Sequence, residues 1–213
     1  QNEGIRKVVP EINMVAAEIK FKIRELRFVD EAVELVKRMD ENDITSILAY
    51  THDLGKPDDE KSGNLYFELN NALRQRDKGG RSAMMNTWGV FVHYLLKGLN
   101  KMPTYEGLLL RGLPNRDEVE TEYKAGRPIQ WGAFVSTTTS ILAAKEFCDK
   151  EAGVIVRISA GYGKKLGPIS FFVDEEEVLL SPNAKFVVSA EVYQEAGWWF
   201  LDLVQQRGDW FVF

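Results

Sequence analysis

The chain has 213 residues, 45% of them hydrophobic and 28% charged, enough apolar side chain for one sizeable core. Its 27 basic and 32 acidic residues leave a net charge of −5, and no stripe of Lys and Arg stands out, which argues against nucleic acid as the principal partner. The one cysteine, Cys148, excludes an internal disulfide, and no apolar run has the length of a membrane span or of a signal-peptide core.

Helical periodicity dominates the first hundred residues. Ile12, Val15, Ile19 and Ile23 recur at three- and four-residue steps, as do Ala32, Leu35, Val36 and Met39. Ile44 to Tyr50 predicts a short helix, followed by a turn-rich stretch from Thr51 to Gly63. Two further helices are predicted at Leu65 to Arg76 and Met84 to Leu99, with a basic, glycine-rich loop from Asp77 to Arg81 between them. From Pro103 the segments shorten and become β-like, at residues 108–110, 131–137, 154–159, 178–180, 185–194 and 198–205. A helix from Ile141 to Lys150 interrupts this half, and Gly161-Tyr162-Gly163 with Gly167-Pro168 marks a mobile loop. The expectation is a single α+β domain over residues 1–213. An N-terminal helical part, 1–102, precedes a β-rich part, 103–213, built on a bent, two-layer mixed sheet.

Three places set polar residues against strands. Glu175, Glu176 and Glu177 abut an aliphatic run that reads as a buried strand, where alternation would put Glu175 and Glu177 on one face and Glu176 on the other. Paired carboxylates at the edge of an apolar core repel each other, so at least one should hold its proton to an unusually high pH. Such a pair suits chemistry that steadies a sugar cation with one carboxylate and moves a proton with the other. The plainer reading of this motif by itself is a solvated acidic turn. Arg111 ends an apolar strand and precedes Gly112, which suits an anionic ligand or a carboxylate partner at the sheet edge. The run Ser136 to Ser140 follows an aromatic strand on which Ser136 and Thr138 share a face, while Thr139 or Ser140 suits the cap of the next helix. His52, His93 and Cys148 do not compose a metal site. His93, among Phe91, Tyr94 and Leu95, reads as a structural histidine, and no metal is expected. Trp198, Trp199 and Phe200 alternate like the second strand of a hairpin.

The order of these motifs is strand–Arg111–Gly112, then aromatic-x-Ser136-Thr137-Thr138, then Glu175-x-Glu177-Val178-Leu179-Leu180. In that order the chain resembles the mono-ADP-ribosyltransferases of the Arg-Ser-Glu class, which takes in arginine-modifying vertebrate enzymes and bacterial toxins. Upstream, Ala49-Tyr50-Thr51, Asn64-Leu65-Tyr66, the run Phe67 to Arg74 and the run His93 to Leu96 are similar to the helical segment of the vertebrate-type branch. The likeness covers roughly residues 44–205. The family usually reads Ser-Thr-Ser, and here Thr138 takes the last place, keeping a hydroxyl.

This resemblance implies that NAD is the substrate, without a metal, and that the nicotinamide–ribose bond breaks through an oxocarbenium-like ribose. Glu177 would hydrogen-bond the ribose 2′-hydroxyl and stabilise that cation. Arg111 would neutralise the NAD phosphates, and Gly112 would grip the nicotinamide amide through its backbone. Ser136 would orient Glu177 and the ribose, with Thr137 beside it in the NAD-binding segment. Phe147 either packs on nicotinamide or belongs to the core. Glu175 implies an arginine acceptor on a protein substrate, because a guanidinium is a poor nucleophile until a carboxylate fixes it and takes its proton. The loop from Gly161 to Asp174, with Tyr162, Phe171 and Phe172, is expected on the acceptor side, and Glu176 is expected to do little. An NAD glycohydrolase on the same site and a non-catalytic NAD-binding module are the alternatives. A glycoside hydrolase is disfavoured, since its carboxylates come from opposite walls rather than one strand. The chain opens on Gln1, which reads as a processed or trimmed start. With one cysteine, the expected setting is the cytoplasm, or secretion as an effector that acts inside a host cell.

Overall fold

The structure, a computed structural model, describes residues 3–55, 61–75 and 77–206. The fold divides into two compact units, Gln1–Met102 with Leu166–Val173 and Pro103–Lys165 with Asp174–Phe213. The first boundary falls where helical periodicity gives way.

The first unit carries α1 (Glu3–Val8), α2 (Ile12–Leu26), α3 (Asp30–Arg38), α4 (Glu41–Thr51), α5 (Leu65–Arg74) and α6 (Lys78–Lys101). In α2 the apolar repeat gathers Val15, Ile19, Ile23 and Leu26 on one buried face. α4 packs against α2, α5 and α6 and is buried along most of its length. That burial takes in the carboxylate of Asp43, which accepts from Lys101 Nζ at 2.6 Å and from the Asp40 N–H at 3.3 Å. A buried charge is tolerated only with such partners. α6 starts earlier than expected, because the predicted loop from Asp77 to Arg81 forms its N-terminus. Asp77 caps it, accepting from the Gly80 N–H at 2.8 Å, and this offsets the poor helix propensity of Gly79 and Gly80. α1, six residues long, gave no periodic signal. The segment Leu166–Val173 is held by Phe171, whose N–H donates to Thr51 Oγ1 at 3.3 Å and whose ring meets His52 edge-on at 5.0 Å between centroids. His93, expected to be structural, is exposed on α6, where its ring meets Tyr94 edge-on.

The second unit carries β1 (Thr104–Leu113), α7 (Arg116–Glu122), β2 (Pro128–Trp131), β3 (Val135–Thr138), α8 (Ile141–Glu146), β4 (Val154–Lys165), β5 (Glu177–Leu180), β6 (Ala184–Glu195) and β7 (Trp198–Gln206). The strands run β1-β3-β5-β4-β7-β6-β2, with β4 and β7 parallel and the other pairs antiparallel. Because β4 also pairs with β1 over most of its length, β1, β3, β5 and β4 close on themselves, and the sheet is bent as well as mixed. Leu109, Val135, Val156, Ile158, Val178, Leu180, Phe186 and Leu203 belong to its main core.

Three expectations need correction here. The single strand read from 131 to 137 is two strands on opposite sides of the unit's sheet order, β2 beside β6 and β3 between β1 and β5. The loop expected at Gly161–Gly163 is the second half of β4. A Cβ on Gly161 would lie 2.7 Å from Leu109 Cδ1, and one on Gly163 2.7 Å from Val178 Cγ1, so these glycines let β4 lie close against its neighbours. The helix predicted to reach Lys150 stops at Glu146, and the chain then turns on Asp149, whose carboxylate accepts from the N–H groups of Glu151 and Ala152 at 2.8 and 2.7 Å. The β6–β7 hairpin turns through Ala196 (φ +49°) and Gly197 (φ +78°), the left-handed pair that suits a twisted hairpin. Among the described residues no helix is long and apolar enough to cross a membrane.

Candidate active site

Adjacent strands bring the candidate residues together. β3 lies between β1 and β5, with Leu110 opposite Thr138 and Thr138 opposite Glu177. Arg111, the residue of β1 after Leu110, therefore lies beside the same end of β3 at which β5 begins. Its Nη1 donates to the backbone carbonyl of Ser136 at 2.7 Å. The Ser136 hydroxyl hydrogen-bonds the Glu177 carboxylate.

Glu177 opens a strand whose four residues are all buried, and it is itself 8% exposed. Burial pushes its carboxyl up to about 7. The Ser136 hydrogen bond draws it back, the negative charge of Glu175 adds to the rise, and the Arg111 charge opposes it. Carboxylate repulsion, the cause expected from the sequence, is thus secondary to desolvation.

Glu175 is not on the strand. It ends a 3-10 turn at Val173–Glu175, Glu176 follows with φ +47°, and β5 starts only at Glu177. The shared strand face expected for Glu175 and Glu177 is replaced by this turn, yet the charge of Glu175 still reaches Glu177. Thr138 Oγ1 donates to the Glu175 carbonyl at 2.7 Å and accepts from the Ser140 N–H at 2.9 Å. Thr139 Oγ1 donates to the Glu176 carboxylate. Ser140 is the cap of α8, accepting from the Ala143 N–H at 3.3 Å.

The remaining candidates fall into place around these. Thr137 is buried, and its hydroxyl donates to the Val178 carbonyl at 2.6 Å, so it ties β3 to β5 instead of standing open to a ligand. A Cβ on Gly112 would lie 2.8 Å from the carbonyl oxygens of Ala144 and Phe147, so the end of α8 rests directly on the residue after Arg111. Phe147 is 57% exposed and so does not belong to the core. Tyr162 and Phe172 are exposed, but Tyr162 belongs to β4 rather than to a loop.

Tyr123 carries no signal in the sequence. Its hydroxyl accepts from Trp131 Nε1 at 2.9 Å. Burial raises its phenol, and the charge of Arg111 acts in the opposite direction. The ties from Thr138 to the Glu175 carbonyl and from Thr139 to the Glu176 carboxylate carry no sequence signal either. Among the described residues no group of three His, Cys, Asp or Glu is placed to hold a metal ion.

The sequence matches the family described as NAD:arginine ADP-ribosyltransferase over residues 7–208. This chain belongs to that family. Mav of Mycobacterium avium, named as an NAD(+)–arginine ADP-ribosyltransferase, is 29% identical over 169 residues, which cover 79% of this chain and 18% of Mav. Tre1 of Serratia proteamaculans, named as an NAD(+)–protein-arginine ADP-ribosyltransferase, is 30% identical over 129 residues, 61% of this chain and 26% of Tre1. The chain thus spans only a minor part of the length of either relative. In fold it is similar to the ADP-ribosyltransferase HopU1 of Pseudomonas syringae, with a TM-score of 0.68 and 22% identity over 88% of this chain and 84% of that one.

Proposed function

We propose that this ADP-ribosyltransferase domain cleaves the nicotinamide–ribose bond of NAD and passes ADP-ribose to an arginine side chain of a protein. The observation that carries the reading is the buried Glu177 carboxyl, hydrogen-bonded by Ser136 and within the field of Arg111, with a second carboxylate, Glu175, beside it. Family membership supports the same chemistry.

Arg111, fixed by the Ser136 carbonyl, neutralises the NAD phosphates. Nicotinamide leaves with the electron pair of the glycosidic bond, which discharges its ring and leaves positive charge at ribose C1. Glu177 accepts a hydrogen bond from the ribose 2′-hydroxyl and stabilises that cation, a charge present only as the bond breaks. The positive nicotinamide ring favours ionisation of Glu177 in the complex, against the desolvation that keeps it protonated in the free protein. Ser136 holds the carboxylate in line. Phe147, exposed beside Gly112, offers an aromatic face to nicotinamide. Glu175 takes one guanidinium proton as the acceptor nitrogen bonds to C1.

The deciding experiment follows nicotinamide release from NAD with and without agmatine. Release that rises with agmatine, yields ADP-ribosyl-agmatine and disappears in Glu177→Ala is the expected result. Glu175→Gln should lose transfer to agmatine and keep most of the hydrolysis. Release indifferent to agmatine would make the domain an NAD glycohydrolase, and NAD binding without release would make it a binding module.

A further inference from the structure

Glu176 is left without a task by the paired-carboxylate chemistry, yet it has the least ordinary backbone near the site. Its φ of +47° places a residue with a Cβ in the left-handed region, a conformation that persists where the surroundings impose it. This twist carries the chain from the turn at Val173–Glu175 into β5, and so aims Glu175 independently of strand alternation.

The end of β3 holds the twist at two successive residues. Thr138 anchors the backbone through the Glu175 carbonyl and is itself fixed by the Ser140 N–H. Thr139 anchors the side chain of Glu176 through a hydrogen bond to its carboxylate, and hydrogen bonds to ionised acceptors are the stronger kind. One short stretch of chain, Ser136 to Thr139, thus serves both carboxylates through separate contacts: Ser136 reaches Glu177, while Thr138 and Thr139 reach the turn that bears Glu175.

We propose that the Thr139–Glu176 hydrogen bond is a latch that orients Glu175 and thereby sets how the ribosyl cation divides between a guanidinium acceptor and water. The inference rests on the role given above to Glu175. Opening the latch leaves Arg111, Ser136 and Glu177 in place, so nicotinamide still departs. Glu175 then no longer holds the guanidinium at C1, water bonds there instead and loses its proton to solvent, and the product is free ADP-ribose. Thr139 and Glu176 are positioning residues in this scheme, acting through Glu175.

The test compares Thr139→Val, which removes the hydroxyl at nearly constant shape, with Thr139→Ser, which keeps it. In the Val variant the ratio of ADP-ribosyl-agmatine to ADP-ribose should fall about tenfold, the effect of one lost hydrogen bond to a charged group. Nicotinamide release without agmatine should stay within about twofold of the parent, and the Ser variant should restore the ratio. A second readout needs no activity: a Glu-specific protease should cut after Glu175 or Glu176 faster in the Val variant than in the parent or the Ser variant. An unchanged ratio, or an equal fall in both products, overturns the partitioning role. Unchanged cleavage overturns the latch itself. A parent that releases no nicotinamide overturns the proposed function and the partitioning role with it, and the protease comparison still decides the latch.

Discussion

At the scale of single residues, Glu177 ties activity and stability to pH in opposite directions. Its carboxyl sits near 4.5 when the chain is unfolded and at about 7 in the fold. A raised acid favours the folded state fully below the unfolded value, and that advantage is lost as pH climbs through the folded one. Glu177→Gln, neutral throughout, should therefore be more stable than the parent at pH 8, on the order of 3 kcal/mol, and level with it near pH 4.5. Urea denaturation at the two pH values checks this. The rate should move the other way: kcat/KM for nicotinamide release in the parent should rise with pH through about 7 as Glu177 ionises, read from a pH–rate profile of the free enzyme. The sequence made the pair of glutamates legible but not what separates them. Whether Glu175 joins the strand depends on the left-handed turn at Glu176, and nothing in three identical residues says which one bends.

At the scale of elements, the contact of α8 with β1 is a close one. In Gly112→Ala the new methyl would meet two backbone carbonyls at 2.8 Å, and backbone cannot rotate out of the way as a side chain can. The expected outcome is a stability loss of about 1–3 kcal/mol, from overpacking, together with a raised KM for NAD because Arg111 is displaced. Thermal melting and steady-state kinetics measure the two. Asp77→Ala is the contrast. It removes the cap of α6, costing about 1 kcal/mol, and should leave KM for NAD unchanged. The two sites show where the sequence could and could not be read. α2, β6 and β7 were legible because their apolar residues repeat at the period of their own element, and β5 because a short unbroken aliphatic run reads as a buried strand. Glycine misled in both directions. At Gly79 and Gly80 a capping aspartate carries a helix across it, and at Gly161 and Gly163 a crowded strand requires it.

At the scale of the whole molecule, the chain passes between its two units at Met102–Pro103, Lys165–Leu166 and Val173–Asp174. We propose that the two units fold as one domain, since the helical unit takes its segment Leu166–Val173 from within the sequence of the other. Trp88 is buried in α6 of the first unit, whereas Trp131, Trp198 and Trp199 lie in the second. In a Trp88→Phe variant, helix loss followed by far-ultraviolet ellipticity and β-unit unfolding followed by tryptophan fluorescence should share one midpoint. Two separate midpoints would show that the units melt independently. The boundary at residue 103 was visible as a change of period. The return of Leu166–Val173 to the helical unit was not, because Gly167-Pro168 reads as the same turn whichever core its neighbours join.

Arg111 donates to the main-chain carbonyl of residue 136, while the hydroxyl of that residue serves Glu177. Every amino acid brings that carbonyl, so a lineage can exchange the serine and keep its guanidinium in position. The cutting half of the site and the holding half are inherited through different atoms of one residue. A substitution at position 136 therefore separates grip from cleavage, freeing the Glu177 carboxyl of its partner while the guanidinium keeps its carbonyl acceptor.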